Sequence, residues 1–228
     1  AWGYADAGGR QACSGFLLRA GKDLWVGRNN DLWVPDLWGY AIERHVTGRL
    51  ATLAFGMRGE IFAATGLNEA GLWLHYNWLP AFDQPGGEAW TPYVLLTEML
   101  ETCRSVDEVE ESLSQTQRTG GMLIFAAHIT GEAALLECAP KRVARTNLAG
   151  SFLAGANHYQ RLATPQPAAA YAPGSVKRLQ VMQKRLSTLE RTPQPQDLIT
   201  ILADPGVEQR QPDYGTVYSS LVNLSKME

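Results

Sequence analysis

The stretch CSGFLLRAGKDLWVGRNND, residues 13–31, reads as a β-hairpin. Ser14–Arg19 and Asp23–Gly27 are apolar-rich runs, and Ala20-Gly21-Lys22 between them is a turn signal. A turn centred between Gly21 and Lys22 places Cys13 opposite Asn30. The side-chain period of two then puts Arg28 on the same face, one diagonal step away. A guanidinium beside a thiol favours the thiolate and lowers its pKa, as a nucleophilic cysteine requires. Asp31 points to the other face of a regular strand, and reaches Cys13 only if the chain bends at Asn29-Asn30. Taken alone, the pattern also fits a buried cysteine near a surface arginine.

Further hairpins follow. Ile61–Thr65 and Leu72–Trp78 flank the turn signal Gly66-Leu67-Asn68-Glu69-Ala70-Gly71, and Met122–Ile129 and Ala133–Cys138 flank Thr130-Gly131. Ser151–Asn157 and Thr216–Val222 read as single strands. Helices come in two blocks. Thr91-Pro92 is an N-cap with proline at the first helical position, leading Leu95, Leu96, Met99, Leu100 and Cys103 on one face. Ser105 with Glu108 three residues later fits a capping box before Val109 and Leu113. Ser175 opens a later helix with Val176, Leu179, Met182, Leu186 and Leu189 on one stripe, and Asp197–Ala203 is a short last one. Hairpins separated by blocks of helix predict an α+β fold of antiparallel sheets with helices packed outside.

Composition narrows the function classes. The 228 residues are 45% apolar and 19% charged, which excludes wholesale disorder. With 20 basic and 23 acidic residues the net charge is −3, leaving no electrostatic footprint for nucleic acid. Three cysteines (Cys13, Cys103, Cys138) and four scattered histidines have no zinc or disulfide spacing, so neither metal nor cofactor is expected. Cys103 and Cys138 read as core. No apolar run approaches the roughly 18 residues of a membrane span. The chain reads as soluble, cytoplasmic favoured over secreted, with room for a homo-oligomer. All seven tryptophans lie in the first 90 residues, marking either an aromatic-rich core or an apolar ligand cleft.

Gly27-Arg28-Asn29-Asn30-Asp31, about fifteen residues after Cys13, resembles the linear amide C–N hydrolases. These are the choloylglycine hydrolase, penicillin V acylase, acid ceramidase and acyl-CoA:6-aminopenicillanate acyltransferase group of the N-terminal nucleophile (Ntn) hydrolases. Gly66-Leu67-Asn68-Glu69-Ala70-Gly71-Leu72 is similar to that group's Asn-Glu-x-Gly-Leu turn, followed by a strand ending in Asn77. Ser151–Asn157 resembles the strand that delivers a second Asn. Ser175-Val176-Lys177-Arg178 resembles the Ser/Arg helix start, and Tyr214–Ser219 the late Tyr-Ser strand. Five collinear pieces span most of the chain.

The resemblance implies a four-layer αββα fold and an enzyme that cleaves or transfers the acyl group of a linear amide. Residues 1–12 then read as a propeptide remnant cut between Ala12 and Cys13. Residues 13–228 read as one catalytic domain, truncated relative to the family at its C-terminus. Freed Cys13 attacks the amide carbonyl to form a thioester, with its own α-amine as base; an α-amine pKa near 7.7–8.0 suits that task. Arg28 stabilises the thiolate, Asp31 holds the α-amine, Asn77 donates to the oxyanion, and Asn157 and Arg178 shape the site. The implied partner is a small N-acyl amide with an apolar acyl group. Trp33, Trp38, Trp78 and His75 are candidate substrate-binding residues, Trp73 shares a strand face with His75 and Asn77, and Trp25 reads as core. Two other readings compete: a Cys–His thiol hydrolase or transamidase pairing Cys13 with His158 or His75, and an uncleaved Ntn-like protein that only binds an apolar ligand.

Overall fold

The computed structural model describes residues 13–33, 39–57, 62–189 and 192–227. The first half of the chain is strand: β1 (Ser14–Ala20), β2 (Asp23–Trp33), β3 (Gly39–Arg44), β4 (Thr52–Met57), β5 (Thr65–Asn68) and β6 (Leu72–Leu79). Helices α1 (Pro92–Thr102) and α2 (Val106–Gln115) precede β7 (Gly121–His128), β8 (Ala133–Cys138), β9 (Val143–Asn147) and β10 (Phe152–Gly155). The chain then forms α3 (Ala168–Tyr171), α4 (Pro173–Ser187), α5 (Pro195–Leu202), β11 (Arg210–Gln211) and β12 (Tyr214–Asn223).

Two antiparallel sheets result, one ordered β10-β1-β2-β12-β11 and the other β3-β4-β5-β6-β7-β8-β9. The opening hairpin turns at Gly21, whose φ of +63° suits glycine. Its register pairs Leu17 with Val26 and Ser14 with Asn29, so one step further Cys13 meets Asn30, as the turn position predicts.

Alternation sorts the side chains into layers. Leu17 and Val26 face Leu123 and Phe125 of the other sheet, forming the inter-sheet core. On the far side of the seven-stranded sheet, Leu74, Ile124 and Leu136 meet Leu96, Met99 and Leu113 of α1 and α2. On the far side of the five-stranded sheet, Phe16, Leu18 and Trp25 meet Leu179, Met182 and Ile201 of α4 and α5. Each such side chain contributes about 1.5–3 kcal/mol by leaving water. The architecture is αββα, and Trp25 is core as expected.

The structure departs from the sequence reading in several places. Of the strand expected at Ile61–Thr65, Ile61 lies outside the described residues, and the observed strand occupies Thr65–Asn68: Phe55 and Ala54 of β4 pair with Thr65 and Gly66, drawing that segment out of the expected turn. The turn begins after Asn68, whose side-chain oxygen accepts from the N–H groups of Ala70 (3.1 Å) and Leu72 (3.0 Å). Strands β3, β4, β9 and β11 and helix α3 are additions. Helix α4 starts at Pro173 rather than Ser175, since proline is pre-organised for a first turn and lacks only an N–H that would go unpaired there. The capping box of α2 is half formed: Ser105 accepts from the Glu108 N–H, while the Glu108 carboxylate accepts from the N–H of Arg104 rather than Ser105.

Candidate active site

Cys13 sits just before β1 and is 7% exposed. Its thiol lies 3.7 Å from Asn30 Oδ1 and 3.9 Å from Arg28 Nη2. Arg28 is held in turn, donating to the Ala64 carbonyl (2.6 Å) and to Asn30 Oδ1 (2.5 Å). The face-and-diagonal geometry expected from the hairpin register is present.

The Cys13 backbone nitrogen donates to Asn157 Oδ1 at 2.8 Å. Asn157 follows β10 and is fixed from three sides. Arg178 Nη2 of α4 donates to the same oxygen (2.9 Å), Asn157 Nδ2 donates to the Trp78 carbonyl (2.8 Å), and its N–H donates to Ser175 Oγ (2.6 Å). That last bond is the task of Ser175 inside the first turns of α4; its hydroxyl also lies 2.7 Å from His158 Nδ1. Asn77 on β6 donates to the Ala156 carbonyl at 3.2 Å, so both asparagines cross from one sheet to the other.

Asp31 lies on the α4 side of β2 and accepts from Thr216 Oγ1 at 2.6 Å. β2 runs on through Asp31 to Trp33, and the irregularity falls on its partner: the β12 register shifts between Thr216, opposite Asp31, and Tyr218, opposite Asn30. Bulges of this kind re-aim side chains beside active sites. The Asp31 backbone N–H favours the Cys13 thiolate electrostatically.

Electrostatics correct one expectation. Burial pushes the Cys13 thiol up, and this outweighs the lowering from Arg28 and Arg178 and from the Asp31 N–H, while the Asp31 carboxylate adds to the rise. The guanidinium is in place, but the closed pocket costs the thiolate more solvation than the arginines return. Asp31 is likewise pushed up, to about 7, by burial, against lowering by Thr216, Arg178 and Arg28. His75 lies well below its ordinary value, first from burial and then from Arg28.

Several buried side-chain atoms of the candidate residues have no partner: Arg28 Nε, Asn30 Nδ2, Asp31 Oδ2, His75 Nε2, Asn77 Oδ1 and Arg178 Nε. Such groups cost about 1–3 kcal/mol each unless water or a ligand meets them. Arg28, Asp31 and Arg178, the charged groups that act on the Cys13 thiol, each leave one such atom unmet, as a ligand site does and a plain core does not.

The remaining candidates divide. His75 faces the inter-sheet layer, accepting from Trp73 Nε1 (2.9 Å) and stacking on Phe125 at 4.3 Å. The close fit there requires glycine at 15, because a Cβ would come within 2.7 Å of His75 Nε2. Trp73, 1% exposed, packs in the same layer. Trp78 lies on the opposite face of β6 from Asn77, against the α1/α2 cluster, so it meets the site through its carbonyl rather than as an aromatic wall. Ala12, Trp38 and the Trp33 side chain lie outside the described residues. Asn30, Thr216 and the Ala64 carbonyl were not assigned roles from sequence; the register that puts Asn30 opposite Cys13 was the available signal for the first. Among the described residues no His, Cys, Asp and Glu side chains gather to hold a metal, and no helix is long and apolar enough to cross a membrane.

Residues 18–223 match the model of acyl-coenzyme A:6-aminopenicillanic acid acyl-transferase. The chain belongs to that family. The matched stretch begins just after Cys13 and contains Arg28, Asp31, Asn77, Asn157 and Arg178. No curated protein matches. Among solved structures, the fold is similar to a mutant conjugated bile acid hydrolase from Clostridium perfringens, at 16% identity and TM-score 0.63 over 94% of this chain and 87% of that one. An N-acylethanolamine-hydrolyzing acid amidase ortholog from Caenorhabditis elegans is similar at 12% identity and TM-score 0.67, over 93% of each chain. Penicillin V acylase from Agrobacterium tumefaciens gives 14% and 0.61, over 94% of this chain and 81% of that one. This member of the acyl-transferase family therefore has the Ntn-hydrolase fold and is an enzyme of linear-amide chemistry, by hydrolysis or acyl transfer.

Proposed function

We propose that the chain is a cysteine Ntn amidohydrolase or acyltransferase, activated by self-cleavage between Ala12 and Cys13. The observation that carries this reading is the convergence on Cys13 of Arg28 at its thiol and Asn157 at its nitrogen, beside the unpartnered carboxylate oxygen of Asp31. That surrounding supports the reading of the Cys13 nitrogen as the amine that cleavage frees.

In activation the Cys13 thiol adds to the Ala12 carbonyl, the C–N bond breaks as the Cys13 nitrogen takes a proton, and water hydrolyses the resulting thioester. The α-amine so released accepts a hydrogen bond or proton within reach of Asn157, and Asp31 holds its protonated form by a charge-assisted bond. In turnover the amine takes the thiol proton as the sulfur attacks the substrate carbonyl. Asn77, released from Ala156, donates to the oxyanion, a contribution typically worth about 2.7–4 kcal/mol. Collapse expels the amine, which leaves with the proton. Water then completes hydrolysis, or an acceptor amine completes transfer. Arg28 and Arg178 stabilise the sulfur's negative charge throughout. Desolvation makes the thiol a poor acid in the uncut chain, and the α-amine freed by cleavage brings to it the positive charge that favours the thiolate.

The partner is a small N-acyl amide with an apolar acyl group. A conjugated bile acid, penicillin V and an N-acylethanolamine form the first panel, chosen from what the structural neighbours act on. Intact mass should reveal a fragment beginning at Cys13, and Cys13→Ala should abolish both cleavage and turnover with the fold intact. Retained turnover in Cys13→Ala sinks the proposal. An uncut chain whose Cys13 resists alkylation would instead favour a binding protein, which a raised thiol also fits. The Cys–His reading is weaker: the groups that meet the Cys13 thiol are Asn30 and Arg28, and neither His75 nor His158 is among them.

A further inference from the structure

Glu137 is a carboxylate where the layer calls for a hydrocarbon. It lies on β8, pairs in register with Leu123 of β7, and shares the inter-sheet face with Leu135. It is 3% exposed. Burying a carboxylate is costly unless its lone pairs are met, and here four contacts from three consecutive amides meet them. The N–H of Gln160 donates to Oε1 (2.9 Å), that of Arg161 to both oxygens (3.0 and 2.8 Å), and that of Leu162 to Oε2 (2.9 Å). Successive amides turned toward one anion form a backbone nest.

The nest belongs to the segment that carries Asn157. Between the two, Tyr159 OH donates to the Pro80 carbonyl (3.0 Å) and lies 3.4 Å from that of Cys138, so the segment is fastened to the seven-stranded sheet. Asn157 comes off the five-stranded sheet, where its oxygen holds the Cys13 nitrogen and the Arg178 guanidinium. Glu137 therefore ties the far end of a strap whose near end sets the geometry at Cys13. An apolar residue would fill the same space at lower desolvation cost, but would leave three amides unpaired and the strap untied.

We propose that Glu137 is a positioning residue for the site, acting through the 160–162 nest to hold Asn157 against the Cys13 nitrogen and Arg178. This rests on the Cys13-centred reading above, but its test needs no turnover. The test is the pH profile of iodoacetamide labelling at Cys13, followed by peptide mass on the full chain. Peptide mass separates Cys13 from Cys103 and Cys138, which burial pushes to about 11 and about 12. The charged groups facing Cys13 are Arg28, Asp31 and Arg178. Loosening Asn157 takes Arg178 away from the thiolate, so Glu137→Gln should raise the labelling midpoint by half a unit or more, about threefold in thiolate fraction. Asn157→Ala should raise it as well, and the double variant should add nothing to Asn157→Ala alone, since Glu137 acts through that residue. Glu137→Asp, which keeps the charge but withdraws it by one methylene, should behave like Glu137→Gln and covers the case in which the latter fails to fold. An unmoved midpoint overturns the proposal, as do additive shifts, which would mark a merely structural role. So does Cys13 that never labels in any variant. An uncut, inactive wild type would overturn the function while leaving this measurement intact.

Discussion

Arg28 and Arg118 are both 1% exposed, and each directs its guanidinium chiefly at main-chain or amide oxygens. They differ in how completely they are met. Arg118 gives Nε and Nη2 to the Ala139 carbonyl (3.0 and 2.7 Å), Nη1 to Leu113 and Thr116 (2.5 and 2.6 Å), and Nη2 also to Arg142 (3.3 Å). Every nitrogen is used. Arg28 leaves Nε unpaired and spends part of Nη2 on a thiol 3.9 Å away. A saturated buried arginine is a staple; an unsaturated one beside a nucleophile is a device waiting for charge. Burial alone does not separate the two, but satisfaction does.

The contrast breaks first on stability. Arg118→Met strands the carbonyls at the end of α2 and around Ala139, and should cost roughly 3–5 kcal/mol. Denaturant unfolding measures this, and turnover per folded molecule should be unchanged. Arg28→Met should do the reverse. Replacing a buried, incompletely met charge by a hydrophobic residue is close to neutral for stability, whereas loss of its charge at the thiolate should lower turnover by on the order of 10²-fold or more. If both variants lose stability and keep turnover, Arg28 is a staple too and the distinction fails.

Asp31 sharpens the same contrast through pH. Its carboxyl titrates near 7 in the uncut fold and near the ordinary aspartate value when unfolded, so the fold binds the extra proton between those values. The stability conferred by the protonated form is complete at low pH and is lost as pH rises through about 7. Asp31→Asn should remove this slope and make the uncut chain more stable above pH 7, by about 2–4 kcal/mol, while turnover is lost. Thermal unfolding of cleavage-blocked Cys13→Ala with and without Asp31→Asn, from pH 5 to 9, reads it. Equal slopes would mean that the carboxylate is solvated.

Much of this site is legible in sequence because it hangs on one hairpin. The turn at Gly21 and a period of two suffice to bring Cys13, Arg28 and Asn30 to one face, whatever the rest of the chain does. The sign of the net shift at Cys13 was not legible, because desolvation depends on what both sheets and α4 bring over the thiol. Likewise β4 was invisible until paired with β5, and its absence displaced the expected strand at Ile61–Thr65. Glu137 could be read only as one acid in an apolar strand. Its partners are backbone amides, which leave no mark on residue identity. The side of β6 taken by Trp78 was available from alternation with Asn77, and adjacency in sequence was the wrong guide there.

The smallest effect tests the staple end of the comparison alone. Helix α2 is closed at its C-terminus by Arg118, through the Leu113 and Thr116 carbonyls, and at its N-terminus by Ser105, through the Glu108 N–H at 3.2 Å. Ser105 is a neutral cap at the helix edge rather than a buried charge. Ser105→Ala should therefore cost only about 1 kcal/mol. The Arg104 N–H keeps its bond to the Glu108 carboxylate at 2.6 Å, so the first turn stays partly tied. Turnover should not change, and the loss should add to that of Arg118→Met if the two ends act independently. A double variant much less stable than the sum would show that α2 unravels as a unit once both ends are released. Arg118 would then act on the whole helix rather than on the carbonyls it touches.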